Sequence, residues 1–203
     1  MRYTLIILLL LIGLFGCKKY ESEINLIFDK EELETQDAII NFLDSVVIDY
    51  TGIKNFKKAY PIYFDSCKSA TINQGDIILI GISDIDIFLK SLNQEHLKEY
   101  YNIEDTITFR YPKIHDKAGE TKIITNAYQK TFNHNGKFAE LLKILKKDNS
   151  YIERYYDNLM CAGDFSAGNI NGVINYCSDY NLINKYHRLV VAITIFSLPR
   201  DYY

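Results

Sequence analysis

The sequence has no tryptophan and only three prolines, ten glycines and four cysteines in 203 residues. So little Pro and Gly, beside 48% hydrophobic and 24% charged residues, excludes a collagenous, low-complexity or disordered chain. It also leaves no Pro-, Gly- or Ser-rich linker inside the chain, so a single globular domain is expected. Positive charge is not in excess: 23 Lys and Arg stand against 26 Asp and Glu, a formal net charge of −3. Nucleic-acid binders concentrate basic residues to replace phosphate counterions, so no nucleic-acid partner is expected. A Gly-rich phosphate loop and a Gly-x-Ser-x-Gly elbow are both missing. The four histidines, His96, His115, His134 and His187, lack the four-residue spacing of a helical zinc pair. No metal and no other cofactor is expected.

What the chain does have is one long uncharged apolar run, from Tyr3 to Phe15, preceded by Arg2. This is the charge-then-apolar order of an export signal. The run falls short of the ~20 apolar residues needed to cross a bilayer, and it gives way at once to Cys17, Lys18 and Lys19. The segment Leu14-Phe15-Gly16-Cys17 resembles the lipobox of bacterial lipoproteins, with a branched apolar residue at Leu14, a small one at Gly16 and the cysteine itself; Phe15 is bulkier than the usual occupant of its place. The resemblance implies cleavage between Gly16 and Cys17 and a diacylated Cys17 carrying palmitate-type chains. Two or three acyl chains at ~0.8 kcal/mol per buried methylene anchor stably where a single chain exchanges. Lipoproteins kept at the inner membrane resemble one another in an Asp after the cysteine. Here that residue is Lys18, which points to a lipid-anchored protein of the cell envelope, at the outer membrane where one exists. The expected organisation is a cleaved signal over 1–16, a lipidated cysteine and polar tether over 17–30, and one globular domain over 31–203.

Beyond the signal the charge is divided. Residues 21–49 hold nine acidic and one basic side chain, whereas residues 110–147 hold nine basic and three acidic. Charges so arranged either meet each other within the fold or form a basic patch for an acidic partner.

Periodicity predicts a mainly α, α+β domain. Leu33, Ile39, Ile40, Leu43, Val46, Val47 and Tyr50 recur at helical spacing behind an acidic first turn, ending near Gly52. Phe138 to Leu145 and Ile152 to Met160 repeat the pattern. Gly163 stops a helix, Asp164 or Ser166 caps the next, and Ile170, Val173, Ile174 and Cys177 share its face. Leu189 to Leu198 is apolar nearly all round and is expected as a central helix, so the C-terminal half reads as bundle-like. A small sheet is expected in the middle, from Ile77 to Ile82 and from Ile107 to Tyr111 paired with Lys122 to Tyr128. Ser83 and Asp86 fit the cap of a helix running through Ile87, Leu89 and Leu92.

Three carboxylates, Asp84, Asp86 and Glu95, are the candidates for acid–base chemistry, Asp84 and Asp86 because they follow a buried strand. Helix capping accounts for the first two as well. His96 beside Glu95 and His115 beside Asp116 read as surface histidines, because adjacent residues on a helix do not face one another. With Cys17 committed to lipid, Cys67, Cys161 and Cys177 remain. Two helices meeting near Gly163 would hold Cys161 and Cys177 ~20 Å apart, beyond disulfide reach. That leaves open a bridge from Cys67 to Cys161 or to Cys177, or three free thiols. The favoured function is a non-catalytic interaction domain tethered to the membrane, binding an envelope or secreted protein, in one version as an immunity-type protective lipoprotein. The alternatives are an envelope hydrolase or carbohydrate-processing enzyme using Asp84, Asp86 or Glu95, and a structural envelope lipoprotein.

Overall fold

Asp29 begins the domain's first long helix as a capping box: its side chain accepts from the Glu32 amide, while the Glu32 carboxylate accepts from the Asp29 amide. In the computed structural model, which describes residues 20–74, 79–81, 85–104 and 129–198, this helix, α1, runs Lys30–Thr51 and stops at Gly52, whose φ of 68° is left-handed. The order continues with α2 (Phe56–Gln74), α3 (Ile85–Ser91), α4 (Gln94–Leu97), β1 (Tyr101–Glu104), β2 (Gln129–Phe132), α5 (Lys137–Leu145), α6 (Ser150–Ala162), α7 (Ala167–Asn175), a 3₁₀ turn at Cys177–Asp179 and α8 (Lys185–Phe196). The protein is mainly helical with a two-stranded antiparallel sheet, Tyr101 opposite Phe132 and Glu104 opposite Gln129.

The apolar helix α8 is the axis of the core. Every residue from Tyr186 to Phe196 is buried, and α1, α5 and α7 pack on it. Polar atoms brought inside are matched. The Tyr101 hydroxyl donates to the Ile193 carbonyl at 2.8 Å. Thr194 donates to Val190, which leaves its oxygen to accept from Tyr155 at 2.6 Å. The turn after α6 works as a stop and restart: Gly163 has φ 76°, Phe165 packs on Tyr101 and Phe132, and Ser166 caps α7 by accepting from the Asn169 amide. Asp164 is not the cap; its carboxylate accepts from the Phe132 amide and ties β2 to this turn.

Three expectations need correction. The polar tether expected over 17–30 already belongs to the domain from Tyr20: residues 20–24 are helical, and Ile24 and Phe28 are 0% and 2% exposed in the core. The acidic surface of this segment hid two anchors four residues apart, one helical turn. The strand expected over 77–82 fails where it is described, because Ile80 and Gly81 form a turn in which Gly81 takes φ 75°, a conformation that cannot continue a strand. Two described helices, α2 and α4, went unexpected; Pro61 lies inside the first and the second has four residues. The expected strands over 107–111 and 122–128, and the cap at Ser83, lie outside the described residues.

The acidic and basic stretches do meet in part. Lys137 reaches Glu32 at 2.6 Å and Lys147 reaches Glu23 at 3.2 Å. At the start of α5 the N-cap is Gly136, which has no side chain to cap with. Glu99 substitutes from a distance: its carboxylate accepts from the Lys137 amide and its carbonyl from the Phe138 amide. That approach requires glycine, since a Cβ on Gly136 would lie 2.2 Å from the Glu99 carbonyl oxygen. Gly136→Ala is expected to destabilise the domain by about 1–3 kcal/mol, the cost of forcing atoms into filled space, read as a lower urea midpoint. An unchanged midpoint would show that Glu99 does not bear on this helix end.

Candidate functional site

The sequence-derived candidates are not gathered into one cleft. Asp86 sits in the first turn of α3 and pairs with Lys130 of β2 at 2.9 Å, the lysine side chain being buried. Glu95 lies on the exposed side of α4, where it pairs with Lys98 at 2.7 Å. Asp84 lies outside the described residues, as do Cys17, Gly16, His115 and Asp116. The small cavity beside Asp86 holds only ≈ 10 Å³, about one water. The described histidines are occupied one by one: His96 by Thr35 at 2.8 Å and Asn93 at 3.1 Å, His134 by the Gly163 carbonyl, His187 by the Asn181 amide. Among the described residues no group of three His, Cys, Asp or Glu could hold a metal ion.

The bridge left open between Cys67 and Cys161 or Cys177 is not formed; none of the three is in a disulfide. Cys67 and Cys177 are buried and Cys161 is exposed at the end of α6. Burial pushes the Cys67 thiol up, although hydrogen bonding with Ile80 and Tyr63 works against it. It pushes Cys177 far above its ordinary value, with Asp65 and Asp179 adding to the effect. Both behave as small apolar core residues that resist forming thiolate.

A different place is open. Between α6 and α7 lies a groove of ≈ 200 Å³. One wall is the stripe Tyr151, Arg154, Tyr155 and Asn158 of α6, residues at i, i+3, i+4 and i+7 and therefore on one face. Gly168, Asn169 and Gly172 of α7 form the other. A Cβ added at Gly172 would meet no atom within 4 Å. Tyr176 and Tyr180 complete the lining.

One polar atom of the lining residues is unmatched, and it is covered by protein. Asn169 is 5% exposed, and its amide nitrogen has no hydrogen-bond partner among the described residues. A buried donor left unmatched is costly and asks for an explanation. The Arg154 guanidinium lies over the Tyr151 ring, 4.4 Å from its centroid, an arrangement that holds its planar fork in place. Tyr151 and Tyr176 are 5.8 Å apart and tilted by 36°. Burial pushes the Tyr180 phenol well above its ordinary value, Cys177 and Asp179 add to the effect, and the Arg154 charge works against it. No Asp or Glu is among the lining residues. The groove is thus rich in donors and positively charged.

Sequence reasoning did not find this site. Tyr155 was recognisable as core, and it is buried; the signal passed over was Arg154, three residues from Tyr151, facing two glycines spaced by one helical turn. Among the described residues no helix is long and apolar enough to cross a membrane. No family model, no curated protein and no solved structure matches the chain, and its function is read from its own residues.

Proposed function

We propose that the protein is a lipid-anchored binding domain of the bacterial cell envelope, non-catalytic, that recognises an envelope or secreted protein through the α6/α7 groove. The observation carrying the recognition half is the groove itself: an exposed guanidinium held over the Tyr151 ring, with no carboxylate among the lining residues, beside the exposed Tyr176 ring. Catalysis by the three carboxylates loses support, since Asp86 and Glu95 are each consumed by a different lysine. The anchoring half rests on Leu14, Gly16 and Cys17, with outer-membrane placement following from Lys18. A protective, immunity-type action is one form of such binding: a domain held at the membrane occupies an arriving protein before it reaches its target.

The helical residues 20–24 follow Cys17 closely in sequence, so the chain between the proposed anchor and this part of the domain is short. Two measurements test the proposal. Palmitate label is expected on the wild-type chain and not on Cys17→Ala; label retained by the variant sinks the anchor. The affinity-tagged full chain, held in mild detergent and exposed to envelope extract, is expected to retain a partner reproducibly. Retention of none, over repeated extracts, sinks the binding reading.

A further inference from the structure

We infer that the turn at residues 25–27 is a second membrane contact: with Cys17 acylated, Leu26 enters the bilayer interface and beds among the lipid acyl chains. The inference rests on the anchoring half of the reading above and names the surface that this half presents to lipid.

Leu26 is 88% exposed, more than any other large hydrophobic side chain of the described residues. A single exposed leucine is ordinary on a protein surface; what sets this one apart is how it is held and where it stands in the chain. The turn is hydrogen-bonded throughout. The Leu26 amide donates to the Glu23 carbonyl at 3.3 Å, and the Ile27 and Phe28 amides both donate to the Ile24 carbonyl, at 2.9 and 3.0 Å. Ile24 on one side and Phe28 on the other are buried in the core. With both flanks packed, the turn holds Leu26 outward.

Its position in the chain supplies the occupant. Tyr20, the first residue of the helical segment 20–24, follows Cys17 by three residues, a reach of at most ~11 Å. From Tyr20 to Leu26 is a further ~9 Å at the helical rise. Leu26 thus lies within about 20 Å of the acylated residue, whatever path the link takes. The next exposed large hydrophobic along the chain is Tyr50, near the end of α1. One leucine alone is too small to hold a protein at a bilayer. Tethered this closely, it meets lipid at an effective concentration on the order of millimolar, so its burial follows the anchor without a second search. Charge does not oppose the contact. Asn25 is neutral, Glu23 is paired with Lys147 at 3.2 Å, and Lys18 and Lys19, next to the anchor in sequence, offset Glu21 against an anionic headgroup surface.

The chain contains no tryptophan, so Leu26→Trp and Ile183→Trp, both at exposed sites, each install a single fluorescent reporter in the full lipidated chain. Both go into vesicles of phosphatidylethanolamine and phosphatidylglycerol whose acyl chains carry bromine. The Leu26→Trp emission is expected to shift to the blue and lose intensity on the brominated lipid, and that of Ile183→Trp to stay unchanged. Tryptophan itself favours interfaces, so a second measurement keeps the native residue. Leucine and isoleucine methyl signals of the wild-type chain are recorded in nanodiscs of the same lipids, some bearing a nitroxide. The Leu26 methyls are expected to lose their signal and the Ile183 methyls to keep theirs. Equal quenching at both positions, quenching at neither, or a Leu26 methyl signal that survives the nitroxide overturns the inference. A turn that leaves the lipid signals unchanged, but whose Leu26→Gln variant no longer retains the envelope partner, is a protein-binding surface, which also overturns it. Palmitate labelling separates this contact from the reading beneath it. Label on Cys17 with no lipid contact at Leu26 strikes the contact and leaves the anchor, whereas a wild-type chain without label strikes both.

Discussion

Asp44→Ala is expected to destabilise the domain by about 3–5 kcal/mol, the cost of leaving a buried charge without its partner. Asp44 lies on the buried face of α1, where it accepts from the Tyr60 hydroxyl at 2.7 Å and from the Arg188 Nε at 3.1 Å. Arg188 is equally buried, 4.1 Å from the centre of the Phe56 ring, and it also donates to the Leu182 and Ile183 carbonyls. Four parts of the fold, α1, α2, the loop before α8 and α8 itself, therefore meet at one ion pair. Burial holds the Asp44 carboxyl above its ordinary value, with the Tyr60 hydroxyl and the Arg188 charge pulling it back. Removing the carboxylate strands the guanidinium among apolar side chains and deprives Tyr60 of its acceptor. For a chain of this length the loss amounts to a fall in Tm of about 6–20 °C. Tyr60→Phe, which keeps the ion pair, should cost no more than about 1.5 kcal/mol. Asp44→Leu with Arg188→Met should recover most of the loss, because both charges leave together. Urea denaturation of the four proteins measures this. If Asp44→Ala costs less than about 1 kcal/mol, or the double variant is no more stable than Asp44→Ala, the ion pair does not organise the core.

That cluster shows where sequence legibility ended. The helices α1, α5, α6 and α7 could be read from spacing, because each buries a stripe whose period differs from that of a strand, and the stops at Gly52 and Gly163 are left-handed positions that glycine takes without strain; α8, buried all round, has no such stripe, and its apolar run fits a buried strand as well as a helix. Asp44 and Arg188 stand 144 residues apart, and nothing local marks them as partners. Pro61 disguised α2 by interrupting a pattern that neighbouring aromatic residues, Tyr60, Tyr63 and Phe64, nevertheless hold in the core. The tether was misjudged because five acidic residues between Glu21 and Glu32 surround Ile24 and Phe28. The groove was invisible for a similar reason: its meaning lies in groups that lack partners, and a missing partner is a property of three-dimensional packing. Arg154 looks like any surface cation until Tyr151 is found beneath it and no carboxylate beside it.

Stability is expected to fall by about 2–3 kcal/mol between about pH 7 and about pH 4.5, through a single side chain, His187. The ring lies on α8, 6% exposed, with its Nδ1 accepting from the Asn181 amide at 3.0 Å. The neutral tautomer therefore carries its proton on Nε2, and the folded protein has no use for a second one. Burial lowers the His187 pKa from 6.5 to about 4, so the unfolded chain takes up a proton in a range where the folded chain does not. The contribution is fully present above the unfolded value of 6.5 and is lost as pH falls towards about 4. Asp44 acts in the opposite sense. Its raised carboxyl value gives stability present below the unfolded value and lost as pH rises through the folded one, so it offsets part of the acid loss. Comparison with His187→Leu removes that complication, since Asp44 titrates in both proteins and cancels in the difference. The variant leaves the Asn181 amide without its acceptor, a cost of about 1–3 kcal/mol that is the same at every pH. The wild type is therefore expected to be the more stable protein at neutral pH, with the gap narrowing steadily as the solution is acidified through 6.5 towards 4. Urea midpoints taken across this range decide the matter: parallel curves for the two proteins would mean that His187 is protonated as readily inside the fold as outside it.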